Sequence, residues 1–555
     1  MEAVSGENLA RSLGALAQWQ RIGGTAGEHE ACEYILSRLR AWGIACRAES
    51  YTAELSTPVA ASVSVEGMDG AFGALPRSFS APCPGGVTAP LFWDVHAHDA
   101  LGANEERAWY AAARGRIVIG ENFYEDYVDK LRRFGVKGLV HVWTTDEPVL
   151  HYETVSPVWG TAEPDGAQRY PDFPVVGLCR ADGLAILAQL TPGACERTAT
   201  VTSEIDCRCA EIRVPVAEIP GETDSYVLIG NHYDSWEYGV TDNATGNAAA
   251  LEAARILAQG PRAKRGVKIA WWPAHSNGRY AGSTRYCDAH FDDLDAHCVA
   301  LINMDSPGCR GARKIGFSTS GVVSDYLLPF IRRHTQQTQA VIRPLGRGSD
   351  LSFFGPRVPI QVSFDFYQEA PNRGRWDCPG CGGGWWWHSA QDTADKADLG
   401  FLARDTAVLA ELADALRRAE HLPFDACACG EAMAQTVEDI RAHCDEAFDF
   451  APVLRALDGV RRAMDGLTCF SGDAQAKEAG GRLTRLLCSA CDAYHFDSTF
   501  AVGRLPGLQT ARGAYRADMT EREFLHIETA FRRQANRFAA ECRSIAAALG
   551  GAGEN

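Results

Sequence analysis

Apolar residues follow two rhythms along this chain, and together the rhythms predict a mixed α/β protein. Residues 227–229 form a continuous apolar run that ends at Gly230, and residues 300–305 contain a second such run. Short continuous runs of this kind are typical of strands buried in a parallel sheet. In residues 21–44, by contrast, apolar side chains recur at the 3.6-residue spacing of a helix, which ends at Gly43.

Changes in this pattern divide the chain into four parts, for which we expect the boundaries 1–50, 51–195, 196–421 and 422–555. Short apolar segments and turns with several prolines fill the second part, where residues 115–143 follow the order strand, helix, strand. The third part has the α/β pattern, and the fourth has mostly helical periodicity.

Candidate metal-binding chemistry follows the apolar run at 227–229. Open α/β sheets place their ligand sites at the carboxyl ends of the strands, and His232 and Asp234 stand there. His232 is a candidate metal ligand, and Asp234 could accept the other imidazole N–H and so fix the orientation of the ring. Asp242 follows in a turn before a helical segment, where a carboxylate can bridge two cations.

Several motifs resemble one peptidase family. The stretch VLIGNHYDSWEYGVTDNATG at 227–246, the block ALINMD at 300–305 and the block WWWHSAQDTADK at 385–396 resemble the zinc aminopeptidase family that includes glutamate carboxypeptidase and transferrin receptor. The resemblance implies an α/β fold, a zinc-aminopeptidase-like sheet flanked by helices. Residues 51–195 resemble its inserted protease-associated β-rich domain, for which an unrelated small α/β insert is the alternative. Residues 422–555 resemble its C-terminal helical domain, and 1–50 belong to the peptidase-like domain.

The resemblance also implies the metal ligands. His232, Asp242 and Asp305 match the ligands of a first metal ion, and Asp242 and His388 match two ligands of a second. A nitrogen and oxygen donor set suits zinc, although another divalent metal is possible. We expect one or two ions.

The largest departure from the family lies at 274–278. Family members carry a Glu-Glu pair there, a general base and a metal ligand, whereas this chain has Ala-His-Ser-Asn-Gly. One register aligns His275 and Ser276 with the two glutamates, and another aligns Ser276 and Asn277. We expect His275 and Ser276 to be the catalytic pair. His275 could act as the base, since its ordinary pKa of about 6.5 suits proton transfer, or it could replace the lost ligand.

The substrate segment is also expected by resemblance. GRGSDLSFFG at 346–355 is similar to a glycine-rich substrate segment of the family, so we expect substrate contacts from Arg347, Ser349 and Asp350, and from Trp387 after it. By the same resemblance, Thr499 stands where the carboxypeptidases carry a lysine for their substrate's glutamate, with Phe500 beside it. This argues against an acidic C-terminal residue as substrate.

A Cys-x-x-Cys motif, Cys378 and Cys381, lies in the loop that leads to His388. It is either a pair of free thiols or, together with Cys427 and Cys429, a zinc knuckle. A knuckle needs four thiolates, and no other cysteine pair lies near in sequence. We favour the free thiols.

Composition narrows the partners and the location. The net charge of −17 argues against nucleic acid or an anionic membrane as a partner. The odd count of 19 cysteines, without a secretion signal or an apolar span, favours free thiols in the cytoplasm. By resemblance, the helical tail should form a two-fold homodimer.

The sequence therefore predicts a metal-dependent hydrolase that acts on an amide or peptide bond of a small molecule or short peptide through a metal-bound water. Two alternatives stay open. One is a repurposed metal enzyme, a lyase or specialised amidohydrolase, acting on a non-peptide molecule. The other is an inactive receptor or scaffold, which the loss of both glutamates favours and the four retained ligand positions oppose.

Overall fold

The computed structural model describes residues 2–194, 197–339, 341–345, 350–351, 353–368, 380–498 and 502–550. The strands are β1 (Ala45–Val65), β2 (Phe72–Pro76), β3 (Cys83–Trp93), β4 (Ile117–Gly120), β5 (Gly138–Val142), β6 (Val175–Leu178), β7 (Thr198–Ile219), β8 (Tyr226–His232), β9 (Gly266–Trp272), β10 (Cys298–Asn303), β11 (Ala312–Thr319), β12 (Val341–Pro344) and β13 (Ile360–Gln368).

The helices are α1 (Gly6–Leu16), α2 (Ala26–Ala41), α3 (Ala103–Ala111), α4 (Glu125–Phe134), α5 (Pro164–Ala167), α6 (Arg180–Leu187), α7 (Thr245–Gln259), α8 (Ala281–Ala289), α9 (Phe291–His297), α10 (Leu328–His334), α11 (Leu399–Arg418), α12 (Ala426–Ala442), α13 (Ala451–Met464), α14 (Asp473–Gln475), α15 (Arg482–Cys488) and α16 (Glu521–Gly550). Single turns of 3₁₀ or π helix connect several of them.

The central sheet has the order β1-β7-β9-β8-β10-β13-β11-β12. Its middle strands β9, β8, β10 and β13 run parallel, so their carboxyl ends meet at one edge. All seven residues of β8 and all six of β10 are buried, as their continuous apolar runs predict. The helices α7 and α11 pack on each other beside these strands. The expected α/β fold, a sheet flanked by helices, is confirmed.

A β-rich lobe interrupts this fold between the outer halves of β1 and β7. These two long strands pair along nearly their whole length, with a register shift between Pro58 and Ala60. Beyond the shift the strands continue through β2, β6, β5, β4 and β3 and return to β7, so that seven strands close on one another. We call residues 59–204 the inserted lobe. It has apolar clusters of its own, and its identity as a protease-associated domain stays a prediction.

The C-terminal segment is helical, as its periodicity indicates, with α13 packed along α16. A buried lysine attaches it to the central domain. Lys477 is 6 % exposed, and its ammonium donates to the backbone carbonyls of Leu294, Cys298 and Pro356 at 2.7, 2.9 and 3.0 Å. Burial lowers the pKa of Lys477 to about 8. In the described part of the chain, no helix combines the length and apolarity that crossing a bilayer requires.

Candidate metal centre

The first part of the site lies at the carboxyl ends of β8 and β10. His232 is the last residue of β8 and is 2 % exposed. Its Nε2 lies 3.0 Å from Oδ1 of Asp242 and 3.3 Å from Oδ1 of Asp305, which follows β10. Two carboxylates and one imidazole thus converge where parallel strands end, the usual ligand position in an open α/β sheet.

Asp242 is the centre of the arrangement, because its two oxygens face different histidines. Oδ1 faces His232, and Oδ2 lies 3.2 Å from Nε2 of His388. The carboxylate of Asp392 holds this turn in place: it accepts the backbone N–H of Thr241 at 2.9 Å and that of Asp242 at 2.9 Å. Burial raises the pKa of Asp392 to about 7.

His275, which one register aligns with a glutamate of the family, lies in the loop after β9. Its ring stacks on that of His232, with the centroids 3.9 Å apart. Its Nδ1–H donates to Oδ2 of Asp350 at 2.7 Å. Donor atoms of His232, His275 and Asp305 all lie within 4.8 Å of one another, close enough to hold a metal ion.

Asp234 was expected to bind the His232 ring through its carboxylate, but its backbone oxygen lies nearer to that ring. Nδ1 of His232 lies 3.2 Å from the backbone oxygen of Asp234 and 3.5 Å from its carboxylate. The carboxylate instead accepts the backbone N–H groups of His275 and Ser276 at 3.0 and 2.9 Å. Asp234 therefore positions the 274–278 turn as well as His232.

A buried arginine outside the recognised motifs secures the loop between His232 and Asp242. Arg21 lies just before α2, and its guanidinium donates to the carbonyls of Tyr233, Tyr238 and Gly239 at 2.7, 2.8 and 2.9 Å. Burial lowers its pKa to about 10 although nearby aspartates oppose the shift. No sequence pattern distinguishes such an arginine from an exposed one.

His388 is held from the opposite side by the inserted lobe. Its Nδ1–H donates to the carbonyl of Tyr152 at 3.0 Å, and its own carbonyl accepts the N–H of Tyr152 at 2.7 Å. Oε1 of Glu153 lies 3.5 Å from the same Nδ1. The ring stacks on Trp387, with the centroids 3.7 Å apart.

The pKa values of the two histidines and of Asp242 are shifted by their mutual contacts. Burial disfavours the charged form of His232, but the charge of Asp305 and contacts with Asp234 and Asp242 outweigh it and raise the pKa of His232 well above its usual range. Burial likewise works against charged His388, yet Glu153 and Asp242 raise its pKa to about 9. Burial would raise the pKa of Asp242, but the two histidines hold it well below its usual range.

A cavity of about 410 Å³ opens over these residues, between the sheet edge and the inserted lobe. Its lining combines aromatic rings with an ion pair that is partly exposed to the cavity. Glu125 of α4 accepts from Arg279, and Nη1 of Arg279 lies 3.4 Å from the hydroxyl of Tyr280. Glu153 and Asp350 also line the cavity, so its walls carry more acidic than basic groups.

Of the residues expected to contact substrate, Asp350 and Trp387 line the cavity. Asp350 is committed to His275 and to the Ser283 hydroxyl, so it orients an imidazole inside the site. Ser276 also lines the cavity. The expected contacts of Arg347 and Ser349 lie outside the described residues, as do Thr499 and Phe500.

The cysteine motif is described only in part, because Cys378 lies outside the described residues. Cys381 is buried, with its sulfur 3.2 Å from the hydroxyl of Thr241. Cys427 is exposed and Cys429 buried, both on α12. In the part of the chain that the structure covers, no cysteine joins a group of three or more potential metal ligands.

Comparison with proteins of known structure identifies the fold. The aminopeptidase from Aneurinibacillus sp. strain AM-1 superimposes with a TM-score of 0.56 at 20% identity, over 75% of this chain and 94% of that one. BSAP, a zinc aminopeptidase from Bacillus subtilis, gives a TM-score of 0.54 at 19% identity, over 74% and 95%. At such low identity these likenesses establish a shared fold.

Sequence comparison finds relatives among the peptidases. Residues 215–413 match the model of peptidase family M28, and the expected resemblance to a zinc peptidase family is confirmed. The chain is 25% identical over 361 residues to the probable glutamate carboxypeptidase VP8 of Zea mays, over 54% of this chain and 50% of the relative. It is 27% identical over 291 residues to the probable lipoprotein aminopeptidase LpqL of Mycobacterium tuberculosis, over 51% and 54%. The chain therefore spans about half the length of these relatives.

Proposed function

We propose that this protein is a metal-dependent hydrolase that cleaves an amide or peptide bond in a small substrate. The observation that carries the proposal is the Asp242 carboxylate, which faces His232 at 3.0 Å with one oxygen and His388 at 3.2 Å with the other. This arrangement lies in a cavity large enough for a small molecule. The match of residues 215–413 to peptidase family M28 supports the same chemistry.

The residues present fit a transition metal such as zinc. Imidazole nitrogens and carboxylate oxygens are the donors that zinc accepts, and the donor atoms of His232, His275 and Asp305 converge. His232, Asp242, Asp305 and His275 would hold one ion, and Asp242 with His388 would contribute to a second. When bound, zinc supplies Lewis-acid chemistry: it lowers the pKa of water and polarises a substrate carbonyl.

This donor set differs from the family pattern in one respect that the geometry explains. His275 would take the place of a carboxylate, since its ring stacks on that of His232 and one of its nitrogens lies within 4.8 Å of donor atoms of His232 and Asp305. Asp350 and Asp234 fix the two imidazoles from behind, as carboxylates commonly do for metal-binding histidines. We assign His275 to metal binding, with Asp350 as its orienting partner.

The rest of the cavity would bind and position the substrate. Trp387, Trp236 and Tyr280 offer flat apolar surface, and the Glu125–Arg279 pair closes the side formed by the inserted lobe. The enclosed volume of about 410 Å³ suits a small amide or a short peptide. The two-fold homodimer expected of the helical tail stays a prediction, which light scattering at micromolar concentration tests.

Metal analysis combined with a substrate panel tests the proposed function. Protein purified without chelator is analysed for bound metal and assayed on aminoacyl amides, N-acyl amino acids and dipeptides. We expect metal to be present and at least one amide to be hydrolysed, with no hydrolysis by the Asp242→Ala variant. Bound metal without cleavage of any amide would favour the repurposed enzyme. Absence of metal would favour the scaffold.

A further inference from the structure

The inserted lobe fixes the conformation of His388 through a short segment, residues 151–153. The backbone N–H of Tyr152 donates to the carbonyl of His388 at 2.7 Å. The carbonyl of Tyr152 accepts from Nδ1–H of His388 at 3.0 Å. One residue earlier, Nδ1–H of His151 donates to the carbonyl of Trp387 at 2.6 Å. His388 has a φ of +55°, which a residue with a side chain adopts rarely and keeps only where its surroundings hold it. The lobe supplies those surroundings.

Glu153, the last residue of this segment, carries a buried carboxylate with few partners. It is 6 % exposed, and Oε2 accepts only a long bond from the N–H of Thr154 at 3.4 Å. Oε1 has no hydrogen-bond partner, although it lies 3.5 Å from Nδ1 of His388 and borders the cavity. A buried carboxylate is costly without compensation, so this one requires a nearby positive charge.

Two arginines are the competing candidates for that charge. Both lie near Glu153, but their hydrogen bonds go elsewhere. Arg77 donates to the carbonyl of His151 and contacts Nδ1 of His141. Arg279 donates to Glu125 and contacts Tyr280. Among the described residues, the ion-pair contact of Glu153 is with His388.

We propose that Glu153 is a positioning residue for the metal centre. Its carboxylate, which belongs to the inserted lobe, places a negative charge beside His388 and so compensates for the glutamates that are absent at 275–276. The inference rests on the proposed function, because it requires a metal ion at His388. A carboxylate beside Nδ1 keeps Nε2 directed at the metal and increases its basicity. Glu153 does so from a different domain and from a position 122 residues before His275.

Cobalt titration of the whole protein tests this inference without any assay of activity. The metal-free protein and its variants are titrated with Co²⁺ while the visible absorption bands of the bound ion are recorded. The His388→Ala variant identifies the part of the titration that depends on His388. We expect Glu153→Gln to weaken that part about 10- to 100-fold and to leave the remainder unchanged.

Glu125→Gln is the matched control, because the Glu125 side chain is only 11% exposed, belongs to the lobe and lines the same cavity. It should lower the melting temperature, since Arg279 loses its partner, but leave Co²⁺ affinity unchanged. If Glu153→Gln does not fold, Glu153→Asp and Glu125→Asp replace the pair. Glu153→Asp should then weaken the His388-dependent part of the Co²⁺ titration severalfold, and Glu125→Asp should leave it unchanged.

The outcomes separate this inference from the proposed function. Equal Co²⁺ affinities of wild type and Glu153→Gln, or an equal loss in Glu125→Gln, would overturn the inference alone. A titration that His388→Ala does not alter would also overturn it. Protein that binds no Co²⁺ at all would defeat the proposed function itself. An inactive protein whose Co²⁺ affinity depends on Glu153 would defeat the hydrolase and leave the inference intact.

Discussion

The two ends of the candidate metal centre are built by different parts of the molecule. At one end, which we call the sheet end, three adjacent parallel strands supply the donors. His232 ends β8, His275 follows β9 and Asp305 follows β10, and their donor atoms converge. At the other end, His388 lies in a loop between β13 and α11, and residues of the inserted lobe hold both its ring and its backbone. The first end depends on the sheet, and the second depends on how the lobe sits against the sheet.

This difference has a physical consequence. A ligand at the end of a buried strand belongs to the most stable part of the fold, which opens least. A ligand held by a few hydrogen bonds between a loop and a separate lobe responds to each of those bonds. Metal binding at the His388 end should therefore be the more sensitive of the two to substitutions outside the site.

Asp242→Ala should produce the largest effect, since Asp242 is the residue that the two ends share. We expect metal affinity to fall more than about 100-fold at both ends, and hydrolysis to be lost with it. Metal analysis after dialysis measures the change. Asp395→Ala is the control, because it removes an exposed carboxylate three residues beyond Asp392. Full metal content in Asp242→Ala would contradict the shared role.

His275→Ala tests metal binding at the sheet end, formed by His232, His275 and Asp305, independently of His388. If His275 is a ligand, the variant should lose metal at the His232 end together with about 10²- to 10⁴-fold in turnover, while the His388-dependent step keeps its affinity. Asp350→Asn, which removes only the orienting charge, should show a smaller loss of affinity in the same step. Retained metal with lost turnover would make His275 the general base. Full activity would exclude both roles.

The sheet end was largely predictable from the sequence. Apolar runs located β8 and β10, and motif order pointed to His232, Asp242 and Asp305 as neighbours. The structure does bring them together. His388 was predictable as well, because a long motif surrounds it. Each of these inferences depends on residues close to one another in sequence.

Apart from Asp234, which lies two residues from His232, the partners of these residues were not predictable, because each depends on contacts across long separations. Glu153 lies 235 positions before His388, and Asp350 lies 75 positions after His275. Asp350 was expected to contact substrate, and it orients His275. Asp392 belongs to the motif that identified His388, yet only the fold shows that it holds the turn of Asp242. A carboxylate becomes a partner of a given imidazole through packing alone.

The stability of the metal-free protein should report the charge pairing at the His388 end. The folded-state pKa of His388, about 9, lies above its ordinary value of 6.5, because Glu153 and Asp242 outweigh the effect of burial. The attraction of protonated His388 to Glu153 and Asp242 therefore stabilises the fold fully below about pH 6.5, and this contribution is lost as the pH rises toward 9. The shift corresponds to about 3 kcal/mol.

Urea unfolding of metal-free wild type and His388→Gln at pH 6 and pH 9.5 measures this contribution. Other groups titrate in both proteins, so the difference between the two isolates His388. We expect wild type to lose about 3 kcal/mol more than the variant over this range. Parallel pH profiles would show that His388 is not charged in the metal-free fold.

Tyr152→Phe should have the smallest effect on metal binding. It tests whether the backbone of Tyr152, and not its side chain, positions His388. The phenol of Tyr152 donates to Oε1 of Glu237 at 2.6 Å, and its ring stacks on Trp236 with centroids 5.0 Å apart. Phenylalanine keeps the stack and both backbone bonds to His388 but loses the hydrogen bond. We expect stability to fall by about 1–2 kcal/mol, while Co²⁺ affinity stays within twofold of wild type. A tenfold loss of Co²⁺ affinity would contradict the backbone role, because the positioning of His388 would then depend on the hydrogen bond between Tyr152 and Glu237.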